Sequence, residues 1–236
     1  MKQLDAADKE VAFRLYLVLA GLFIASLVTC NLIFRKFFSI DLFQDSSWAF
    51  TIEQSVGLLP YPITFLITDM ICETFGRKKA NLVVMAGLIS SVLVLLIIWM
   101  ADLTEHAVWS PVTSGEFSHV FGQTFIAVGA SMCAYLIAQF IDIRIFHYWK
   151  TLTNGKKLWL RNNFSTISSQ FVDTLVVLLL LCSAGEIPWD QFVRLLLMGF
   201  LFKVFVALLD TPLFYLLNFW VRKRFNLQFG EEISLT

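Results

Sequence analysis

An all-α integral membrane protein, six transmembrane helices in one bundle, is the fold class this sequence predicts, and three observations carry it. Of its 236 residues 58% are hydrophobic and only 15% charged, with a mean hydropathy of +0.72, a balance foreign to soluble domains. Six apolar runs stand at about 11–34, 56–76, 80–101, 119–141, 162–183 and 191–219. Each is near the ~20 residues a helix needs to cross a ~30 Å hydrocarbon core. Basic residues gather in alternate connections: Lys2, Lys9 and Arg14, then Arg77-Lys78-Lys79, then Arg144, Lys150, Lys156, Lys157 and Arg161, then Arg222-Lys223-Arg224. The opposite connections, 102–118 and 184–190, hold no lysine or arginine and carry Asp102, Glu105, Glu116, Glu186 and Asp190. The positive-inside rule then places both termini in the cytoplasm, with only Arg35 and Lys36 opposed, two residues against fourteen.

The elements follow in order. Residues 1–10 mix both charge signs with no cleavage site before the first span, which predicts a cytoplasmic tail and a retained span. Asn31 lies near the outer end of that span, where it can cap the helix or line an entrance. Residues 35–55 exceed a simple turn. Phe38, Ile40 and Leu42 alternate with Ser39 and Asp41, and Trp48, Phe50 and Ile52 with Ala49 and Thr51, around Gln44-Asp45-Ser46-Ser47. That pattern fits either a small outer β-hairpin or an irregular interfacial loop. Gly57, Pro60 and Pro62 predict that the outer half of 56–76 is bent or partly unwound before a helix begins near Ile63. Gln123 is placed like Asn31, at an outer end. Asp142 and Arg144 sit at the cytoplasmic edge of the fourth span and are read as solvated. Pro212 should kink the sixth span. The six-helix transmembrane domain is thus 11–221, with 222–236 as a second cytoplasmic tail.

The fifth span breaks the apolar rule. Asn162, Thr166, Ser169 and Asp173 follow i, i+4, i+7 and i+11, with Asn163, Gln170 and Thr174 beside them, so one helix face is wet. A carboxylate at mid-membrane costs roughly 2.5–3.5 kcal/mol on insertion scales, and such groups usually face a cavity, a partner or a substrate. Depth follows from the 1.5 Å rise per residue. Asp69 lies about 12 Å above the cytoplasmic boundary, Asp173 and Asp210 about 18 Å, and Lys203 roughly 20 Å below the outer one. All four fall in one central belt. Glu73 shares the Asp69 face one turn lower, where a salt bridge with Arg77 or Lys78 competes with a substrate role. Lys203 can pair with Asp173 or Asp210, but one lysine cannot neutralise three acids. Either a carboxyl is protonated or the cavity awaits a ligand rich in donors or positive charge.

Other classes recede. Zero formal net charge argues against nucleic acid as a partner. Cys30, Cys72, Cys133 and Cys182 lie singly in apolar segments, and His106, His119 and His147 lie singly in or near loops, so no metal site or disulfide is expected. An intramembrane enzyme lacks HExxH, GxSxG or a Ser/His pair at depth. No catalytic residue and no cofactor is expected.

Two stretches resemble the YhhQ/VUT family of queuosine precursor transporters, also known as vitamin uptake transporters. The first runs Tyr61-Pro62-Ile63-Thr64-Phe65-Leu66-Ile67-Thr68-Asp69-Met70-Ile71-Cys72-Glu73-Thr74-Phe75-Gly76-Arg77-Lys78-Lys79-Ala80. The second runs Trp159-Leu160-Arg161-Asn162-Asn163-Phe164-Ser165-Thr166-Ile167-Ser168-Ser169-Gln170-Phe171-Val172-Asp173-Thr174. Asn31, Lys203 and Thr211-Pro212 are similar too, and the likeness extends over the whole chain, least clearly at 35–55. The resemblance implies a multi-pass protein of the bacterial inner membrane that imports 7-deazaguanine bases, the cyano or aminomethyl base or queuine. Such an edge offers adjacent N–H groups that a carboxylate accepts in bidentate fashion, and a carbonyl that suits an amide or ammonium. Phe65, Phe164, Phe171 and Phe205 are candidates for stacking on the flat base. The candidate substrate-binding set is Asn31, Asp69, Glu73, Asn163, Gln170, Asp173, Lys203 and Asp210. The expected partners are a small base and the lipid bilayer, with homodimerisation left open. A second reading is the substrate-binding membrane component of an ATPase-energised uptake system, since the chain has no GxxxxGK[ST] loop.

Overall fold

The computed structural model describes residues 2–34, 36–43, 50–122, 125–154, 156–185, 187–228 and 230–235. Six helices are long and apolar enough to cross a membrane. They are α1 (Ala6–Ile33), α2 (Tyr61–Phe75), α3 (Arg77–Asp102), α5 (Phe125–Leu152), α6 (Leu158–Ser183) and α7 (Phe192–Phe225), with a four-residue α4 (Ser114–Phe117) between α3 and α5.

Polarity sorts the spans by position. The three least apolar, α2, α5 and α6, are the most buried, whereas α1, α3 and α7 turn most of their surface outward. Lipid tails are as apolar as leucine, so an apolar span loses little by facing them, but hydroxyls, amides and carboxylates must be surrounded by protein. α2 takes the centre. It packs on α1, α3, α5 and α7, and every residue from Thr64 to Phe75 except Leu66 is buried. α5 lies mainly against α6, and α6 against α7.

α2 is approached through a 3-10 turn at Val56–Leu58 and a bend at Leu59 and Pro60, and it begins at Tyr61, with Pro62 in the first turn where a missing N–H is harmless. Gly57 makes this entry possible. A Cβ there would lie 2.6 Å from the Cys30 carbonyl oxygen and 2.8 Å from Phe34 Cα, both at the end of α1. Gly57→Ala is therefore expected to destabilise the protein by roughly 1–3 kcal/mol, the usual cost of overpacking. Thermal unfolding in detergent measures this, and an unchanged midpoint would mean that the α1–α2 contact is loose. Beside it, β1 (Phe37–Phe43) and β2 (Phe50–Ser55) pair antiparallel with Ile40 opposite Ile52. The stretch 44–49, with Gln44-Asp45-Ser46-Ser47, lies outside the described residues. Ser55 Oγ fastens β2 to α1 by donating to the Phe34 carbonyl and accepting from Gly57 N.

Several charged residues expected in loops belong to helices. Gly76 alone separates α2 from α3, so Arg77, Lys78 and Lys79 form the first turn of α3. Its φ is +84°, and a Cβ would fall 2.4 Å from Glu232 Oε2, so the turn and its packing both call for glycine. The fourth span runs to Leu152 rather than 141, because nothing between those positions breaks a helix. Asp142, expected to be solvated, is fully buried, while Arg144 is exposed. Gln123 lies outside the described residues. α7 continues through Pro212 and past 222 to Phe225, closing on Asn226 at φ +49°.

Beyond Asn226 the chain folds back as a strap. Lys2 N donates to the Glu232 carbonyl at 2.7 Å, Ile233 N to the Thr74 carbonyl at 2.7 Å, and Ser234 N to the Lys2 carbonyl at 3.2 Å. Thr74 thereby regains a partner for one of the orphan carbonyls at the end of α2. Leu227 and Ile233 join the hydrophobic core.

Candidate functional site

The polar face of α6 is turned inward as a unit. Asn162, Asn163, Ser165, Thr166, Ser169, Gln170, Asp173 and Thr174 are all buried, and Phe164 and Phe171 point away from them. The helical spacing that placed polar groups three and four residues apart produces this result directly. Near the middle of α6, Asp173 Oδ2 accepts a hydrogen bond from Lys203 Nζ of α7 at 2.5 Å, with both side chains under one-tenth exposed. Of the two acids open to Lys203, it takes Asp173. The ammonium also stands 5.0 Å from the centre of the Tyr61 ring, within cation–π range.

This pair forms part of the wall of a cavity of about 190 Å³, between α1, the entry to α2, α5, α6 and α7. Tyr61 and Tyr135 supply its aromatic surface, their rings in edge contact with centroids 5.4 Å apart. Asn31 reaches it from α1, and its buried Nδ2 has no hydrogen-bond partner among the described residues. A smaller space of about 20 Å³ continues past Lys203 and Tyr61 to Gln170, Thr166 and Asp210. Gln170 Oε1 is buried there without a partner among the described residues. Buried donors and acceptors without partners are costly unless a ligand or solvent completes them. The cavity can therefore hold a compact ligand with both kinds of polar edge and a flat face.

The remaining candidates stand outside this cavity. Asp69 is buried one to two α6 turns lower, accepting from Thr166 Oγ1 at 3.5 Å. Asp142 of α5 is buried as well and accepts from Ser169 Oγ at 3.0 Å. Glu73 lies a turn below Asp69 and forms an ion pair with Lys150 of α5 at 3.6 Å, a partner not weighed beside Arg77 and Lys78. Lys150 itself is buried and also bonds Glu232 Oε1 at 2.9 Å and the Glu73 carbonyl at 2.9 Å. Asn163 is committed to packing, donating to the Trp159 carbonyl at 2.9 Å and accepting from Thr211 Oγ1 at 3.0 Å.

Aromatic candidates need correction. Phe164, Phe171 and Phe205 are exposed on the outside of the bundle and cannot stack on a ligand within it. Phe65 is buried and lines the small space. The ring surface of the main cavity belongs to two tyrosines not singled out from the sequence. Tyr61 opens the first motif, and Tyr135 is a polar-tipped ring in the middle of an apolar span. Asp142 stands where the apolar run ends, but α5 continues past it and carries it into the bundle.

The sequence profile of the family described as "Putative vitamin uptake transporter" matches residues 55–217. The chain belongs to this family. The matched range takes in α2 to most of α7 and both long motifs, and it leaves α1, with Asn31, outside. Two curated relatives carry the name "Probable queuosine precursor transporter". One, from Bacillus subtilis (strain 168), is 25% identical over 167 residues, 70% of this chain and 72% of the relative. The other, from Haemophilus influenzae (strain ATCC 51907 / DSM 11121 / KW20 / Rd), is 24% identical over 162 residues, 68% of this chain and 66% of the relative. No solved structure matches at a significant level.

Proposed function

We propose that this transporter-family protein imports queuosine precursors, small 7-deazaguanine bases such as the cyano or aminomethyl base or queuine. The observation that carries the reading is the Asp173–Lys203 pair in the wall of a cavity faced by Tyr61 and Tyr135. A guanine-like edge would exchange with the ammonium for the Asp173 carboxylate, presenting two adjacent N–H donors. Lys203 and Asn31 Nδ2 would then donate to the base carbonyl and ring nitrogen, and the tyrosine rings would take the flat faces. The volume supports a base over a nucleoside, since about 190 Å³ falls below the ~300–1,000 Å³ of drug-sized pockets. The relatives' printed names supply the substrate class.

We place both termini on the cytoplasmic side of a bacterial inner membrane, from the charge asymmetry of the connections, with 1–10 and 222–236 as the tails and the β1–β2 pair on the outer side. Cysteines introduced at Ser114 and Thr153 should label from opposite faces, and same-side labelling would overturn this orientation. The function is tested by uptake of labelled base into cells expressing this chain alone. Accumulation supports a self-sufficient carrier, and dependence on a separate ATPase would shift the assignment to the component of an energised system.

The two amides in the site set should respond differently. Gln170→Ala and Asn31→Ala each remove one neutral hydrogen bond to the base and should weaken uptake by about 0.5–1.5 kcal/mol, up to roughly tenfold. Asn163→Ala should lower thermal stability by a similar energy and leave the affinity of folded protein for the base near normal. Equal loss of affinity in all three would place Asn163 in the binding site.

A further inference from the structure

A second cavity, of about 500 Å³, lies between the start of α6 and the end of α7, at the end of the bundle that carries the strap. Its polar lining is basic: Lys157, Arg222 and Lys223, with Tyr215 and Asn218 between them and no acidic side chain. Asn218 is only 3% exposed and has no hydrogen-bond partner among the described residues. Lys157 and Lys223 are exposed and make no ion pair among the described residues, whereas the next residue, Arg224, is neutralised by Asp8 at 2.9 Å. Leu158, Phe219 and Leu227 make the other wall. Around it Trp159, Phe219 and Trp220 are exposed, as rings are where a helix passes from hydrocarbon to headgroups.

We propose that this cavity is a binding site for a phosphate group carried by an anionic phospholipid. Three cations without a lining acid attract a phosphodiester, Asn218 and the Tyr215 hydroxyl can donate to its oxygens, and the apolar wall takes the start of an acyl chain. Basic pockets between membrane helices at such a boundary bind lipid headgroups. Free phosphate shares the polar half of this chemistry but gains nothing from Leu158, Phe219 and Leu227.

Native mass spectrometry of the detergent-purified protein tests this, with phosphatidylglycerol, phosphatidylcholine and inorganic phosphate added in separate arms. Phosphatidylglycerol should be retained in preference to phosphatidylcholine, and inorganic phosphate should not displace it. The variant Lys157→Gln with Lys223→Gln removes two exposed cations and should weaken retention about thirtyfold, at the usual strength of one basic residue near an anionic surface. A control with Lys78→Gln and Lys156→Gln removes the same charge from residues outside the cavity lining and should retain the lipid as the parent does. The proposal is overturned by equal retention of both lipids, by displacement with inorganic phosphate, or by equal loss in the variant and its control.

Discussion

Asp173→Asn is expected to lower base uptake by tenfold or more, the equivalent of at least ~1.4 kcal/mol of binding. The asparagine keeps the size of the side chain but replaces one acceptor by an NH₂ donor, which would face the donor edge of a guanine-like base. It also leaves Lys203 buried against a neutral partner. Removing one member of a buried ion pair typically costs 3–5 kcal/mol, while replacing both by apolar groups is often neutral or stabilising. Asp173→Leu combined with Lys203→Met should therefore fold close to normally and still fail to transport. That double variant separates the two roles of the pair, because stability returns and recognition does not. Normal uptake by Asp173→Asn at normal expression would move the binding site elsewhere.

The next largest effect is expected at Lys150. Its ammonium is buried between the carboxylates of Glu73 and Glu232 and also meets the Glu73 carbonyl. Lys150→Met would remove the ammonium that joins these two acids, leaving the deeply buried Glu73 carboxylate and the half-buried Glu232 carboxylate side by side. A loss of 3–5 kcal/mol corresponds to a drop of roughly 6–20 °C in melting temperature for a chain of this size. The strap should also come loose, so limited proteolysis should clip residues after Asn226 in the variant and spare them in the parent. Adding Glu232→Gln to Lys150→Met should recover part of the stability. An unchanged melting temperature would mean that water already reaches these three groups.

These two sites differ in how far they could be read in advance. The wet face of α6 was legible because helical periodicity is a local property, and Asp173 stood out against a lipid-soluble run. Lys203 was narrowed to two partners by depth, and only packing of α6 on α7 chooses between them. Asp142 and Lys150 were misread for one physical reason. Charged residues near a span's end look the same in sequence whether the helix stops before them or carries them inward, and α5 carries them inward against α2 and α6. The phenylalanines of the fifth and sixth spans failed for a related reason, since composition counts aromatic rings without saying which side of a helix meets lipid. The strap left no local pattern at all, because its contacts run to Lys2, Thr74 and Lys150, all of them 82 positions or more away in the chain.

That separation has a consequence for how the molecule is made. Lys2, Thr74 and Lys150 leave the ribosome long before Glu232 and Ile233, which follow all six membrane helices in the sequence. During synthesis the Thr74 carbonyl waits for the Ile233 N–H, and Lys150 waits for its second carboxylate. The strap can reach them only if α7 has been threaded with its C-terminal end on the same side of the bilayer as Lys2. A chain whose last helix entered in the opposite sense would hold the strap on the far side, with its end free for a protease. Docking of these residues thus requires Lys2 and the end of α7 to share one side of the bilayer, which the even number of spans between them provides.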